Sequence, residues 1–205
     1  MMSAKDRRGN EVIQMRQAIL EAAREIAAEV GWREVTVRKV AEKVEYSPAT
    51  LYEYFASKEA ILLALMQEGF RILAQDMRAV PESGNAVERL IAVAQSYWDF
   101  AFQYPELYQV MHGLGGVSFG TAETPQEAKD GFVALREAVR AVFPGDGASQ
   151  LDLYDEVDTL WATLHGLVSL TMADRIKDGR ERAATLVLPA VNVFVASWQT
   201  EEGHA

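Results

Sequence analysis

The stretch SPATLYEYFASKE, residues 47–59, holds two helix starts ten residues apart and constrains the fold more tightly than any other part of the chain. Ser47 precedes Pro48, and Ser57 precedes Lys58 and Glu59. A serine oxygen accepts from the orphan amides of a first helical turn, and proline at the next position gives up no needed donor. The helix begun at Pro48 therefore lasts barely two turns, too few to persist alone in water. Tyr52, Tyr54 and Phe55 crowd its end. A helix of this kind exists only where neighbours brace it.

The rest of the chain reads as helix nearly throughout. Ile19, Ala22, Ala23, Ile26, Ala27 and Val30 recur at helical spacing, and Gly31 stands where a left-handed cap belongs. Thr36 can cap a second helix carrying Val37, Val40, Ala41 and Val44. After the short helix, expected helices run over 58–79, 85–104, 105–112, 126–143, 151–177 and 182–199. Glycine-rich GLGGVSFGTAETP and PGDGAS are the expected loops between them. No alternating strand pattern of useful length and no internal repeat is present. The expected class is all-α with about nine helices, divided into 1–60 and 61–205.

The segment TVRKVAEKVEYSPATLYEYF reads as a helix-turn-helix. Val37, Val40, Ala41 and Val44 give the second helix one apolar face, and Leu51 and Phe55 give one to the third. Ala41 is small where two short helices must cross closely. In that motif the second of the two helices enters the major groove by its N-terminal residues. The groove would then be the other wall that so short a helix needs.

The net charge of −10 argues against a polyanionic partner only when taken whole. Residues 1–60 hold ten Lys/Arg and ten Asp/Glu; residues 61–205 carry the entire acidic surplus. Near a phosphate it is charge within a screening length of ~8 Å that counts. Arg38 and Lys39 lie in the first turn of their helix, where cations are unfavourable by ~0.3–1 kcal/mol each. A phosphate at that end would reverse the sign, though exposed side chains also tolerate so small a penalty.

From Ile19 to about Leu63 the pattern T-V-R-x-V-A…S-P-x-T-L-Y-x-Y-F-x-S-K-E resembles the tetracycline-repressor-like (TetR) bacterial regulators. The resemblance implies a double-stranded DNA operator as partner. Matched position by position, it implies a phosphate contact by Thr36 and groove contacts by Pro48, Ala49 and Thr50. It implies phosphate contacts by Tyr52 and Lys58 on either side, with Glu53 and Tyr54 near the groove. Ser47 is the cap and Phe55 is core on both readings. Glu45 stands where family members commonly have glycine; in a left-handed turn a non-glycine residue costs ~1–2 kcal/mol. Ahead of the domain, Lys5, Arg7 and Arg8 read as a disordered basic arm, either touching a neighbouring groove or merely solubilising.

Residues 61–205 resemble the regulatory half of the same family, and YPELYQVMHG with WATLHGLVSL is similar to a subgroup with a Trp…His-Gly signature. Trp161, His165, Val168 and Met172 share one helical face. Gly166 inside that helix suggests close approach of another helix. Tyr97, Trp98, Phe102, Tyr108, Met111 and Phe132 add large apolar surface. Such stripes are ordinarily core; the resemblance favours a pocket among them for a small, mostly apolar effector, with His165 as its polar group. ATLVLPAVNVFVASW is apolar on nearly every face, which fits either a central core helix or a homodimer joined through the last two helices.

Other chemistry finds little support. There is no cysteine, so disulfides and thiolate metal sites are excluded. Asp152, Asp155, Glu156 and Asp158 crowd the start of a helix, where anions are favoured, and only three histidines exist. No catalytic residue, cofactor or metal is implied. No run reaches bilayer length and no apolar segment follows the basic start, so a cytoplasmic protein is expected. The leading expectation is a ligand-responsive dimeric repressor. The alternatives are an α-helical enzyme or carrier for a hydrophobic molecule, and a regulator controlled by a protein partner.

Overall fold

The computed structural model describes residues 4–82, 84–113, 121–143 and 150–201. Most of the GLGGVSFGTAETP segment and all of PGDGAS lie outside the described residues, as do Ser83, His204 and the side chain of Asp152. Among the described residues there are ten α-helices: α1 (Ala4–Val30), α2 (Val37–Lys43), α3 (Pro48–Tyr52), α4 (Lys58–Ala79), α5 (Ala86–Gln103), α6 (Pro105–Gly113), α7 (Gln126–Arg140), α8 (Gln150–Met172), α9 (Gly179–Ala184) and α10 (Val187–Glu201). A 3-10 turn, Trp32–Glu34, joins α1 to α2. The class is all-α, as expected. None of the described helices is long and apolar enough to cross a membrane.

Three boundaries differ from the sequence reading, each for a local reason. First, α1 begins at Ala4, so Arg7 and Arg8 are helical, not a disordered arm. Extending an existing helix needs one hydrogen bond per residue fixed, whereas starting one is costly, so the anchored half from Ile19 carries even Gly9 and Asn10. Second, α8 stops at Met172 instead of Lys177. Asp174 is left-handed (φ 54°), its N–H donates to Thr171 O at 3.1 Å, and that of Arg175 donates to Leu170 O at 2.8 Å, a Schellman closure. Third, the last expected helix is broken between Ala184 and Val187. Pro189 has no N–H to offer the carbonyl four residues back, so a continuous helix is forbidden there and a new first turn accommodates it.

The chain forms two compact units. One holds α1, α2, α3, α4 up to Gly69, and α6; the other holds α4 from Phe70, α5, and α7 to α10. In the first, Ile19, Ala23, Val35, Val40, Ala41, Leu51, Leu65 and Met66 are fully buried. Gly69 marks a tight crossing: a Cβ there would lie 2.4 Å from Met111 Sδ and 3.5 Å from Leu107 Cβ on α6. In the second, α10 buries Val187, Val191, Val195 and Trp198 as a single stripe. Its other side exposes Leu188 (48%) and Val193 (70%), and α8 exposes Leu170 (46%). Trp198 Nε1 donates to Glu156 Oε2 at 2.8 Å, tying α10 to α8. Within the single chain, no described atom outside the backbone of α8 lies within 4 Å of where a Cβ on Gly166 would be.

The turn between α2 and α3 closes as α8 does. Glu45 is left-handed (φ 60°), its N–H donates to Glu42 O at 3.3 Å, and that of Tyr46 donates to Ala41 O at 2.9 Å. The glycine usual at this place would remove a side-chain penalty of ~1–2 kcal/mol. Glu45→Gly should therefore raise unfolding stability by about 1 kcal/mol, read as a higher urea midpoint at unchanged slope. A midpoint equal to or below that of the parent would refute the strain.

Candidate nucleic-acid interface

Helix α3 is built by its caps and held by two side chains. Ser47 Oγ accepts from Thr50 N at 3.1 Å and lies 2.9 Å from Thr50 Oγ1. Pro48 occupies the first turn. Leu51 is buried within the helix, and Phe55 is buried just beyond it. Arg16 of α1 covers the Phe55 ring at 4.0 Å and donates to the Tyr54 carbonyl. Everything else on α3 faces outward: Pro48, Ala49 and Tyr52 are exposed and Thr50 half-buried. Tyr54 is half-buried at the braced end.

On α2, Thr36 caps the helix by accepting from Lys39 N at 3.2 Å. The cations of its first turn, read from sequence as unfavourable there, have partners. Arg38 pairs with Glu42 at 2.9 Å one turn on, and Lys39 pairs with Glu34 at 2.9 Å. The hydrogen bond and charge of Lys39 hold the Glu34 carboxyl below its ordinary pKa. Both pairs are exposed, and exposed pairs contribute little. Arg38 and Lys39 can thus exchange their carboxylates for another anion at small loss. Lys58 differs: its ammonium is half-buried and donates to the Trp32 carbonyl at 3.2 Å.

That carbonyl belongs to a network that the sequence did not disclose. Trp32 Nε1 donates to Glu106 O at 2.9 Å, and Arg24 donates to the Glu106 carboxylate through Nε (3.0 Å) and a terminal nitrogen (2.6 Å). Arg24 also faces Glu68 at 3.6 Å. Residues from α1, the 3-10 turn, α4 and α6 therefore meet around one guanidinium and one indole. Glu106 lies more than 70 positions from either donor, and no local spacing could have revealed the contact.

The residues read as an effector pocket are distributed between the two units. Tyr108 and Met111 are buried on α6, with Tyr108 against the His112 ring at 4.4 Å. In the second unit, Tyr97 and Trp98 are buried, and Trp98 meets Phe102 at 4.5 Å. The Arg180 guanidinium lies 4.5 Å over Phe102. Phe132 stacks on Tyr154 at 5.8 Å. Trp161, His165 and Met172 are half-buried along α8. His165 Nε2 lies 3.2 Å from Ser169 Oγ, and burial pushes the imidazole pKa down. A cleft of about 340 Å³ in this unit is lined instead by Asp76, Ala92, Gln95, Ser96, Asp99, Phe100 and Gln103, none of them among the expected residues.

Comparison with known proteins fits this arrangement. Residues 19–65 match the profile of "Bacterial regulatory proteins, tetR family", and residues 90–190 match "Tetracyclin repressor-like, C-terminal domain". The chain belongs to the TetR family. Curated relatives align over part of the chain. A 78-residue segment is 35% identical to the HTH-type transcriptional regulator YdeS of Bacillus subtilis, covering 38% of this chain and 37% of that protein. A 76-residue segment is 41% identical to the HTH-type transcriptional repressor KstR of Mycolicibacterium smegmatis, covering 37% of each. These matches span little more than a third of the relatives' length. Whole-chain likeness appears in solved structures. FadR from Bacillus subtilis in complex with stearoyl-CoA aligns with a TM-score of 0.66 at 22% identity, over 87% of this chain and 97% of that one. FadR from Bacillus halodurans gives 0.65 at 21% identity, over 88% and 94%. At such identity the shared property is the TetR fold.

His165 also gives this half of the TetR chain a pH dependence of known sign. Its folded pKa is depressed, so the unfolded chain binds the proton more readily, and stability is lost as pH falls through the ordinary histidine range near 6.5. The thermal midpoint should fall between pH 7.5 and 5.5, and by less in His165→Gln. Equal slopes for the two proteins would rule out this histidine as a source.

Proposed function

We propose that this TetR-family protein is a homodimeric transcriptional repressor that sets α3 in a major groove and leaves its operator when a small, mostly apolar ligand binds. The observation that carries the reading is the solvent-facing leading end of α3. Pro48 and Ala49 are exposed on a helix capped by Ser47 whose one buried side chain is Leu51. Pro48, Ala49 and Thr50 would face base edges or backbone, with Tyr54 behind them. Tyr52, Lys58, Thr36, Arg38 and Lys39 would hold phosphates. Two subunits would read half-sites about one helical turn apart, ~34–36 Å.

Dimerisation through α8 and α10 is supported by their outward apolar side chains, Leu170, Leu188 and Val193, and by the open space beside Gly166. A second copy would bury what the single chain leaves in water. The aromatic residues of α5, α7 and α8 support an apolar effector in the second unit. The stearoyl-CoA held by the B. subtilis FadR structure makes a long acyl thioester the first compound to try. For a near-complete switch the ligand must favour the released shape by ~5.5 kcal/mol.

Selection of duplexes from a random library by the full-length protein, followed by binding measurements without and with stearoyl-CoA, tests the reading. Failure to enrich any sequence would end it. Tyr52→Ala and Lys58→Ala should weaken binding to all duplexes alike, and Lys58→Ala should lower the slope of log K against log salt by about 1. Wild-type affinity in both variants would remove their phosphate role. In a separate test, Leu170→Glu with Val193→Glu should yield a folded monomer by light scattering; a persisting dimer would place the interface elsewhere.

A further inference from the structure

We infer that Tyr46 is a second sugar-phosphate anchor of the reading helix, paired with Tyr52 across the short length of α3. This rests on the DNA-binding role proposed above and adds a residue that neither the motif nor the matched positions assigned. Three observations lead to it.

The first is exposure. Tyr46 is 48% exposed and Tyr52 55%, and these are the two exposed aromatic side chains among the described residues of the chain. A tyrosine ring left in water beside a functional surface offers a partner both an apolar face and a polar hydroxyl. The second is position. Tyr46 immediately precedes the Ser47 cap, and its own amide is fixed on Ala41 O at 2.9 Å by the left-handed turn at Glu45. Its backbone is thus anchored to α2 one residue before the cap of α3, and its side chain is left in solvent. The third is scale. Five helical residues span about 7.5 Å, whereas a major groove is about 12 Å wide. A rod that short leaves about 2 Å at either end to be bridged by side chains. Tyr46 stands before the first residue of α3 and Tyr52 is its last.

A tyrosine suits the task. Its ring packs on deoxyribose and its hydroxyl donates to a phosphate oxygen, without the rotamer loss of a lysine or arginine. Being uncharged, it releases no counterion. It also avoids adding a cation next to Glu45, whose carboxylate would attract it away from the strand.

The experiment uses the full-length protein and the duplex it selects from a random library. Tyr46→Phe keeps the ring and should weaken binding about tenfold, and Tyr46→Ala further, with the preferred sequence unchanged. In both, the slope of log K against log salt should stay at the wild-type value, since no charge is removed, while Lys58→Ala lowers it. Circular dichroism and the urea midpoint should match wild type for Tyr46→Phe, which keeps the result interpretable if Tyr46→Ala unfolds. Wild-type affinity in Tyr46→Phe, or a changed preferred sequence, would overturn the anchor while leaving the DNA reading standing. A wild-type protein that enriches no duplex would overturn both.

Discussion

A five-residue helix cannot pay its own conformational entropy, and the first unit is arranged around supplying what α3 lacks. Ser47 and Pro48 provide the first turn with an acceptor and a preset φ. Leu51 and Phe55 provide the apolar anchorage, and the Arg16 guanidinium closes over Phe55 from α1. The turn before it is locked by two reversed hydrogen bonds onto α2. Loss of Leu51, Phe55 or Arg16 would unseat the leading end, although none of these three would touch a ligand. The exposed side chains of α3 are free to meet a partner because the bracing is done by residues on its other side.

The same division explains why the Glu45 turn is tolerable. A left-handed glutamate is destabilising by an amount comparable to one helix cap. The chain repeats the device at the end of α8, where Asp174 takes the left-handed position and closes the same pair of bonds. Each of these helices therefore ends at a fixed residue, at the expense of some stability. At α2 that termination sets where Tyr46 and Ser47 emerge, and so where α3 begins.

What was legible in the sequence was local. Caps at Thr36 and Ser47, the start of α4 at Lys58, and the end of that helix before Pro81 all follow from side-chain chemistry within four residues. The family pattern around residues 36–59 was legible for the same reason: a short motif braced locally leaves its signature locally. Misreadings arose where a neighbour decided the outcome. Arg7 and Arg8 look like a loose arm until the anchored half of α1 propagates through them. Pro189 was visible, yet the apolar run around it concealed the break it forces. Lys58 is matched to a phosphate contact by the family pattern, and the hold of the Trp32 carbonyl on its ammonium was not visible in sequence. The effector residues were the least legible, because an aromatic stripe has the same spacing whether it lines a cavity or fills one.

The electrostatics of the first unit favour an interface that is occupied in turn. Arg38 and Lys39 are held by carboxylates in exposed pairs that contribute little, so an incoming phosphate displaces Glu42 or Glu34 with small loss. Glu106 and Arg24 are more deeply placed, and breaking their paired hydrogen bonds would leave a half-buried carboxylate without its guanidinium. The surface cations are therefore exchangeable and the inner network is not. Such a gradient lets side chains rearrange on contact while the bracing of α3 stays fixed. It also makes the Trp32 carbonyl the informative boundary. It accepts from Lys58, a proposed phosphate contact, while the indole of the same residue donates to Glu106 in the fixed part. A change in α6 that moved Glu106 would alter the indole's footing, and with it the hold on Lys58, without any shift in the apolar core.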